Sequence, residues 1–104
     1  MKFITNTSDL AKFLNKKIKF NALIKSISTD TRSLKKNSLF IAIKGENFDG
    51  NDFVDEALSK GSNIIIADNK RFKNSKDKRI IWVNDSIKAL KTISNNIIKD
   101  YGGN

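Results

Sequence analysis

Three short apolar runs limit what this chain can fold into: LFIAI at Leu39–Ile43, NIIIA at Asn63–Ala67 and IIWV at Ile80–Val83. LFIAI, β-branched at two positions, fits a strand buried on both faces, NIIIA reads as a second buried strand and IIWV as a third apolar strand. Helical patterns lie between and around them. Asn51–Lys60 puts Phe53, Val54, Ala57 and Leu58 on one stripe, with Gly61 placed to end the helix. Thr7–Leu14 reads as a short helix capped by Thr7 or Ser8, with Leu10, Phe13 and Leu14 on one face. After Asn84 or Asp85 as cap, Ile87, Leu90, Ile93, Ile97, Ile98 and Tyr101 recur at helical spacing up to Gly102-Gly103. Leu23–Ser28 alternates as a weaker strand, Asn37 can take a left-handed turn, and Asp68–Arg79 reads as an exposed, mobile excursion. Strands alternating with helices predict an α/β fold, a small, mostly parallel β-sheet flanked by helices, in one domain.

Composition removes several classes of function. The chain has no cysteine and no histidine, which excludes disulfides, thiolate metal sites and the usual zinc ligands. No metal site is expected. Of the 20 basic residues all but Arg32, Arg71 and Arg79 are lysine, whereas nucleic-acid readers favour the bidentate fork of arginine. The net charge of +9 therefore predicts a solvated lysine surface, not a nucleic-acid footprint. Its excess in the first half favours anionic ligands of any kind. No apolar run approaches the roughly 18 residues that span a bilayer, and the N-terminus lacks a signal-peptide core. The expectation is a cytoplasmic monomer that binds neither membrane nor nucleic acid.

The segment Ser28–Asn51 carries the candidate chemistry. Asp30, Thr31 and Arg32 follow a strand in a turn, where an arginine can fork onto phosphate or carboxylate, a hydroxyl can donate and an aspartate can orient the arginine. A plain turn with a surface arginine has the same residues. The loop Lys44-Gly45-Glu46-Asn47-Phe48-Asp49-Gly50-Asn51 joins a strand to a helix, the place where ligands bind in open α/β sheets. Gly45 and Gly50 permit close backbone approach. Phe48 either stacks on a planar ring or tucks into the core. Phe40, Phe53 and Trp82 lie in apolar patterns and are expected to pack in the core.

The order STDTR, SLFIAIKGENFDGNDFVDEAL, GSNIIIAD and IIWVNDSIKAL resembles the N-terminal domain of the Mur ligases over residues 23–101. The resemblance implies a domain, residues 1–104, that holds the UDP end of a UDP-MurNAc-peptide. It places Thr29, Asp30, Thr31 and Arg32 at the nucleotide or diphosphate. Asn47, Phe48 and Asp49 would line the uridine side of a loop bounded by Lys44, Gly45, Gly50 and Asn51. The Phe48-Asp49-Gly50 form is most similar to the ligase that adds D-alanyl-D-alanine to the tripeptide, with the ligase that adds the third residue as the near alternative. Thr31 stands where the family usually has serine, Asn37 where it has glycine and Asn51 where it has histidine. In the family a central ATPase domain brings ATP, magnesium and the acyl-phosphate chemistry. No G-x-x-x-x-G-K-[ST] occurs here, so no catalytic residue is expected in this chain and its own cofactor list is empty.

Overall fold

The apolar runs become three strands of a four-stranded, all-parallel sheet in the computed structural model of the chain, which describes residues 4–95. In chain order the elements are α1 (Thr7–Leu14), β1 (Ser26–Ser28), β2 (Ser38–Ile41), α2 (Val54–Ser59), β3 (Ser62–Ala67), β4 (Ile80–Trp82) and α3 (Ser86–Asn95). Short 3-10 turns occupy Thr31–Ser33, Gly50–Phe53 and Lys70–Phe72. Strand order follows chain order, β1-β2-β3-β4.

The two-residue period of the strands divides the core in two. Leu39, Ile41, Ile64 and Ile66 pack with Leu10 of α1 and Ala89 and Ile93 of α3. Phe40, Ala42, Ile65 and Ala67 pack with Val54 and Ala57 of α2. Leu34 and Phe72, from the β1–β2 and β3–β4 connections, join that second layer. All three crossovers thus lie on one face, as connections of a single hand require, and α1 and α3 close the other. Fully burying side chains of this size contributes ~1.5–3 kcal/mol each, so the two-sided sheet dominates stability.

Several boundaries differ from the sequence expectation. α1 is capped by Asn6, whose side chain accepts from Asp9 N at 2.9 Å, not by Thr7 or Ser8. Thr7 is buried instead; its hydroxyl donates to Phe20 O at 2.6 Å and fastens the lysine-rich connector. Of the expected strand only Ser26–Ser28 pairs with β2, while Leu23 forms an isolated antiparallel bridge with Asn6. Ile24 and Ile27 are both buried, so the expected alternation fails, because the chain joins the sheet only after Lys25. The Asn51–Lys60 helix opens as a 3-10 turn under the Asp49 cap and turns α-helical at Val54. Asp85 caps α3, accepting from Ile87 N and Lys88 N, but Ile87 itself is exposed. The expected Ile97, Ile98, Tyr101, Gly102 and Gly103 lie outside the described residues. Asn37 takes the left-handed turn (φ 60°), and Gly61 (φ 105°) ends α2. Asp68–Arg79 is largely exposed yet anchored, since Arg71 Nη2 donates to Asn51 O at 2.7 Å and to Asp52 at 3.0 Å.

Candidate functional site

β1 and β2 both end on the carboxyl edge of the sheet, and the two candidate segments leave from there. Ser28 Oγ accepts from Asp30 N at 3.0 Å and donates to Asp30 O at 2.7 Å, which bends the chain out of β1. The Asp30 carboxylate then caps the 3-10 turn by accepting from Arg32 N at 2.9 Å. The same carboxylate takes the guanidinium of Arg32, with Nε 3.1 Å from both oxygens and Nη2 at 2.7 Å. Arg32 is thereby fixed at its base while its side chain stays 88% exposed. Its Nη1 bonds no described residue, so the fork is oriented and still open to a ligand.

The side-chain hydrogen bond from Arg32 is the main reason that the Asp30 carboxyl is lowered to about 2. A carboxyl depressed in the folded chain contributes stability above its unfolded value and loses it as pH falls through the folded one. The Asp30–Arg32 pair is thus expected to persist through pH 4 and open near pH 2. A carboxyl-carbon NMR titration should give Asp30 a midpoint near 2; a midpoint at the ordinary aspartate value would show that the pair does not form in solution.

The second segment is a hairpin-like loop. Lys44 and Asp49 face each other across it, Gly45 N donates to Phe48 O at 2.8 Å, and Gly50 N donates to Ile43 O at 2.9 Å. Phe48 at its tip is 54% exposed, and Phe53 on the following turn is 37% exposed. Their rings meet edge to face, with centroids 6.1 Å apart. Two apolar rings left open side by side sit uneasily in water unless something covers them. Together with Phe40, Thr29, Asp30, Thr31 and Arg32 they line a cavity of about 330 Å³, within the range of small-molecule pockets. Neither the Thr29 nor the Thr31 hydroxyl bonds another described residue. One wall is therefore aromatic and the other carries hydroxyls and a braced cation.

Thr29, Asp30, Thr31, Arg32 and Phe48 meet at this cavity, from segments separate in sequence. Lys44, Gly45 and Asn47 lie exposed on the hairpin, outside the lining. Gly50 approaches its own strand, where an added Cβ would sit 2.7 Å from Ile43 N. Asp49 and Asn51 face one another. Burial acts to raise the Asp49 carboxyl, but side-chain and backbone donors of Asn51 outweigh it and hold it below the ordinary value. Asn51, only 2% exposed, also donates to Asp68 and accepts from Asp68 N and Asn69 N, so its amide is wholly spent inside the protein. Sequence reasoning assigned Phe53 to the core; its place at the start of the helical stripe hid the fact that a 3-10 turn rotates it outward. Trp82, also expected in the core, is half-buried beneath the ammonium groups of Lys16 and Lys73, at 5.8 and 5.1 Å. Among the described residues no acidic cluster is placed to hold a metal, and no helix is long and apolar enough to cross a membrane.

Comparison with known proteins agrees with this architecture. The family model described as "Mur ligase family, catalytic domain" matches residues 23–100. The UDP-N-acetylmuramoyl-L-alanyl-D-glutamate–2,6-diaminopimelate ligase of Rickettsia prowazekii is 43% identical over 70 residues, covering 67% of this chain and 14% of that protein. The UDP-N-acetylmuramoyl-tripeptide–D-alanyl-D-alanine ligase of Bacillus subtilis is 32% identical over 77% of this chain and 18% of its own length. Among solved structures, the MurF ligase of Thermotoga maritima in complex with ADP superimposes with a TM-score of 0.60 at 33% identity, over 67% of this chain and 16% of that one. The chain thus spans less than a fifth of the length of these relatives. With the family model matching three quarters of its residues, the chain belongs to the Mur ligase family.

Proposed function

We propose that the cavity binds the uridine diphosphate end of a UDP-MurNAc-peptide, as the N-terminal part of an ATP-dependent ligase of peptidoglycan precursor synthesis. The observation that carries this is the pairing of a braced, open arginine and two hydroxyls that bond no other described residue with two exposed phenyl rings around one small cavity. The rings offer a face and an edge to the planar base, and Thr29, Thr31 and Arg32 offer donors to the diphosphate. Asp30 orients Arg32 without consuming all of its donors. ATP and magnesium would be held by a central domain of the same polypeptide, since this sequence has no phosphate loop. The Rickettsia prowazekii and Bacillus subtilis relatives both carry "UDP-N-acetylmuramoyl" in their names, which supports one nucleotide end with different acceptors. The acceptor has two readings. The Phe48-Asp49-Gly50 form favours addition of D-alanyl-D-alanine, and the 43% identity to the diaminopimelate ligase favours addition of the third residue.

Two variants test the site. Arg32→Ala should weaken UDP binding by ~1.5–3 kcal/mol, the worth of a charge-assisted contact, and leave uridine binding unchanged. Phe48→Ala should weaken UDP and uridine alike, with little change in melting temperature because the ring is already exposed. Calorimetric titration of both ligands checks this, and unchanged UDP affinity in a folded Arg32→Ala chain would remove the arginine from the site.

A further inference from the structure

The hydrogen bonds of the turn that holds Thr29–Leu34 are almost all internal to it, although Leu34 packs into the second core layer. Its bonds run from Ser28 to Asp30, Asp30 to Arg32 and Ser33, and Thr31 to Leu34. Among the described residues a single hydrogen bond ties it to a distant element: Lys60 Nζ donates to Thr31 O at 2.8 Å, across 29 residues of chain. Lys60 is the C-cap of α2, with its backbone N–H donating to Glu56 O and that of the left-handed Gly61 after it to Leu58 O, so its backbone is held firmly. Among the described residues its ammonium has one other partner, Glu56, at a loose 3.9 Å.

We infer that Lys60 is a positioning residue for the anion-binding turn, fixing the Thr31 backbone and supplying the positive charge that the Asp30–Arg32 pair lacks. This rests on the cavity binding a nucleoside diphosphate, as proposed above. The charge balance gives the reason. Asp30 and Arg32 together are neutral, and an anion reaching Thr29 and Thr31 must also approach the Asp30 carboxylate. Lys60 acts electrostatically on that carboxylate and offsets part of its charge, although Glu56 at 3.9 Å shares the ammonium. Without it, the turn keeps its internal bonds but loses its hydrogen-bonded tether to α2 and a nearby positive charge. Lys60 itself lies outside the cavity lining, and a lysine suits this role because its ammonium is a compact charge with several donors, able to hold the Thr31 carbonyl from behind the turn.

The experiment is a calorimetric titration of the chain with UDP and with uridine, for wild type, Lys60→Met, Lys60→Arg and Lys88→Met. The last removes a lysine from α3, across the sheet, as a control for net charge. Lys60→Met should lose roughly five- to tenfold in UDP affinity, the worth of one ordinary net hydrogen bond, because the ammonium acts through the Thr31 backbone, with uridine affinity held within about twofold. Lys60→Arg should recover most of the loss, and Lys88→Met should match wild type. Lys60→Met binding UDP as well as wild type overturns the inference. Equal losses of UDP and uridine also overturn it, because they would mean that the cavity as a whole had collapsed. A wild-type chain that binds neither ligand strikes the cavity assignment itself, and the role of Lys60 falls with it.

Discussion

Replacing Asn51 with alanine is expected to lower the melting temperature by roughly 15 °C, from a loss of about 3 kcal/mol in a domain of this size. The side chain is a single amide making four hydrogen bonds to three residues. Its Nδ2 donates to Asp49 at 2.7 Å and to Asp68 at 3.0 Å, and its Oδ1 accepts from Asp68 N at 3.2 Å and Asn69 N at 3.0 Å. Asp68 in turn accepts from Ser86 N at the start of α3. One amide therefore joins the loop after β2, the loop after β3 and the helix after β4. Alanine would leave two carboxylates facing each other with no donor between them, and two backbone N–H groups without their acceptor. Asn51→Asp keeps the shape but substitutes a third carboxylate. It should be as damaging at neutral pH and partly relieved on acidification, when protonation restores a donor. Thermal melts of both variants decide the matter; a shift of under about 4 °C for Asn51→Ala, the worth of less than 1 kcal/mol, would mean that the network carries little energy.

Gly50→Ala is the second large effect. A Cβ there would lie 2.7 Å from Ile43 N, 3.0 Å from Ile43 O and 3.1 Å from the Ala42 Cα. All three atoms are backbone of the strand segment that feeds the loop, so none can swing aside as a flexible side chain would. The loop must lift, and it would strain the 2.9 Å bond from Gly50 N to Ile43 O in doing so. Overpacking of this kind costs about 1–3 kcal/mol. Gly45→Ala makes the contrast. Its Cβ would meet nothing closer than 3.5 Å, so stability should change by no more than ~0.5 kcal/mol, as at ordinary surface positions. Urea denaturation of the two variants should separate them clearly. Equal stabilities would show that the loop around Gly50 has room to move.

The layered sheet was legible because its signal is local: LFIAI and NIIIA can hardly pack other than as covered strands, IIWV forms the half-buried edge beside them, and Gly61 announces the end of α2. What escaped depends on contacts distant in sequence. Nothing near Asn6 distinguishes it as the cap from Thr7, until Thr7 is seen spending its hydroxyl on Phe20. Phe53 fits the apolar stripe of a helix, and only the 3-10 turn set by the Asp49 cap turns it toward Phe48. Within the site, the Asp30–Arg32 brace could be anticipated from a two-residue spacing. Lys60 could not, since its partner is 29 residues away and lysine on this surface is common. Asn51 stood out in sequence as a departure from the family's usual histidine, but its inward role needs Asp68, from the far side of β3, to be visible.

The most direct test of the proposed nucleotide site is an NMR titration of the isotope-labelled chain with UDP, with AMP as control. Binding at the cavity predicts shifts clustered at Thr29–Arg32, Phe48 and Phe53, with UDP favoured over AMP and Lys88 on α3 undisturbed. Spectra unchanged by UDP, or shifts spread equally by both nucleotides over the lysine surface, would contradict a uridine diphosphate site in this domain.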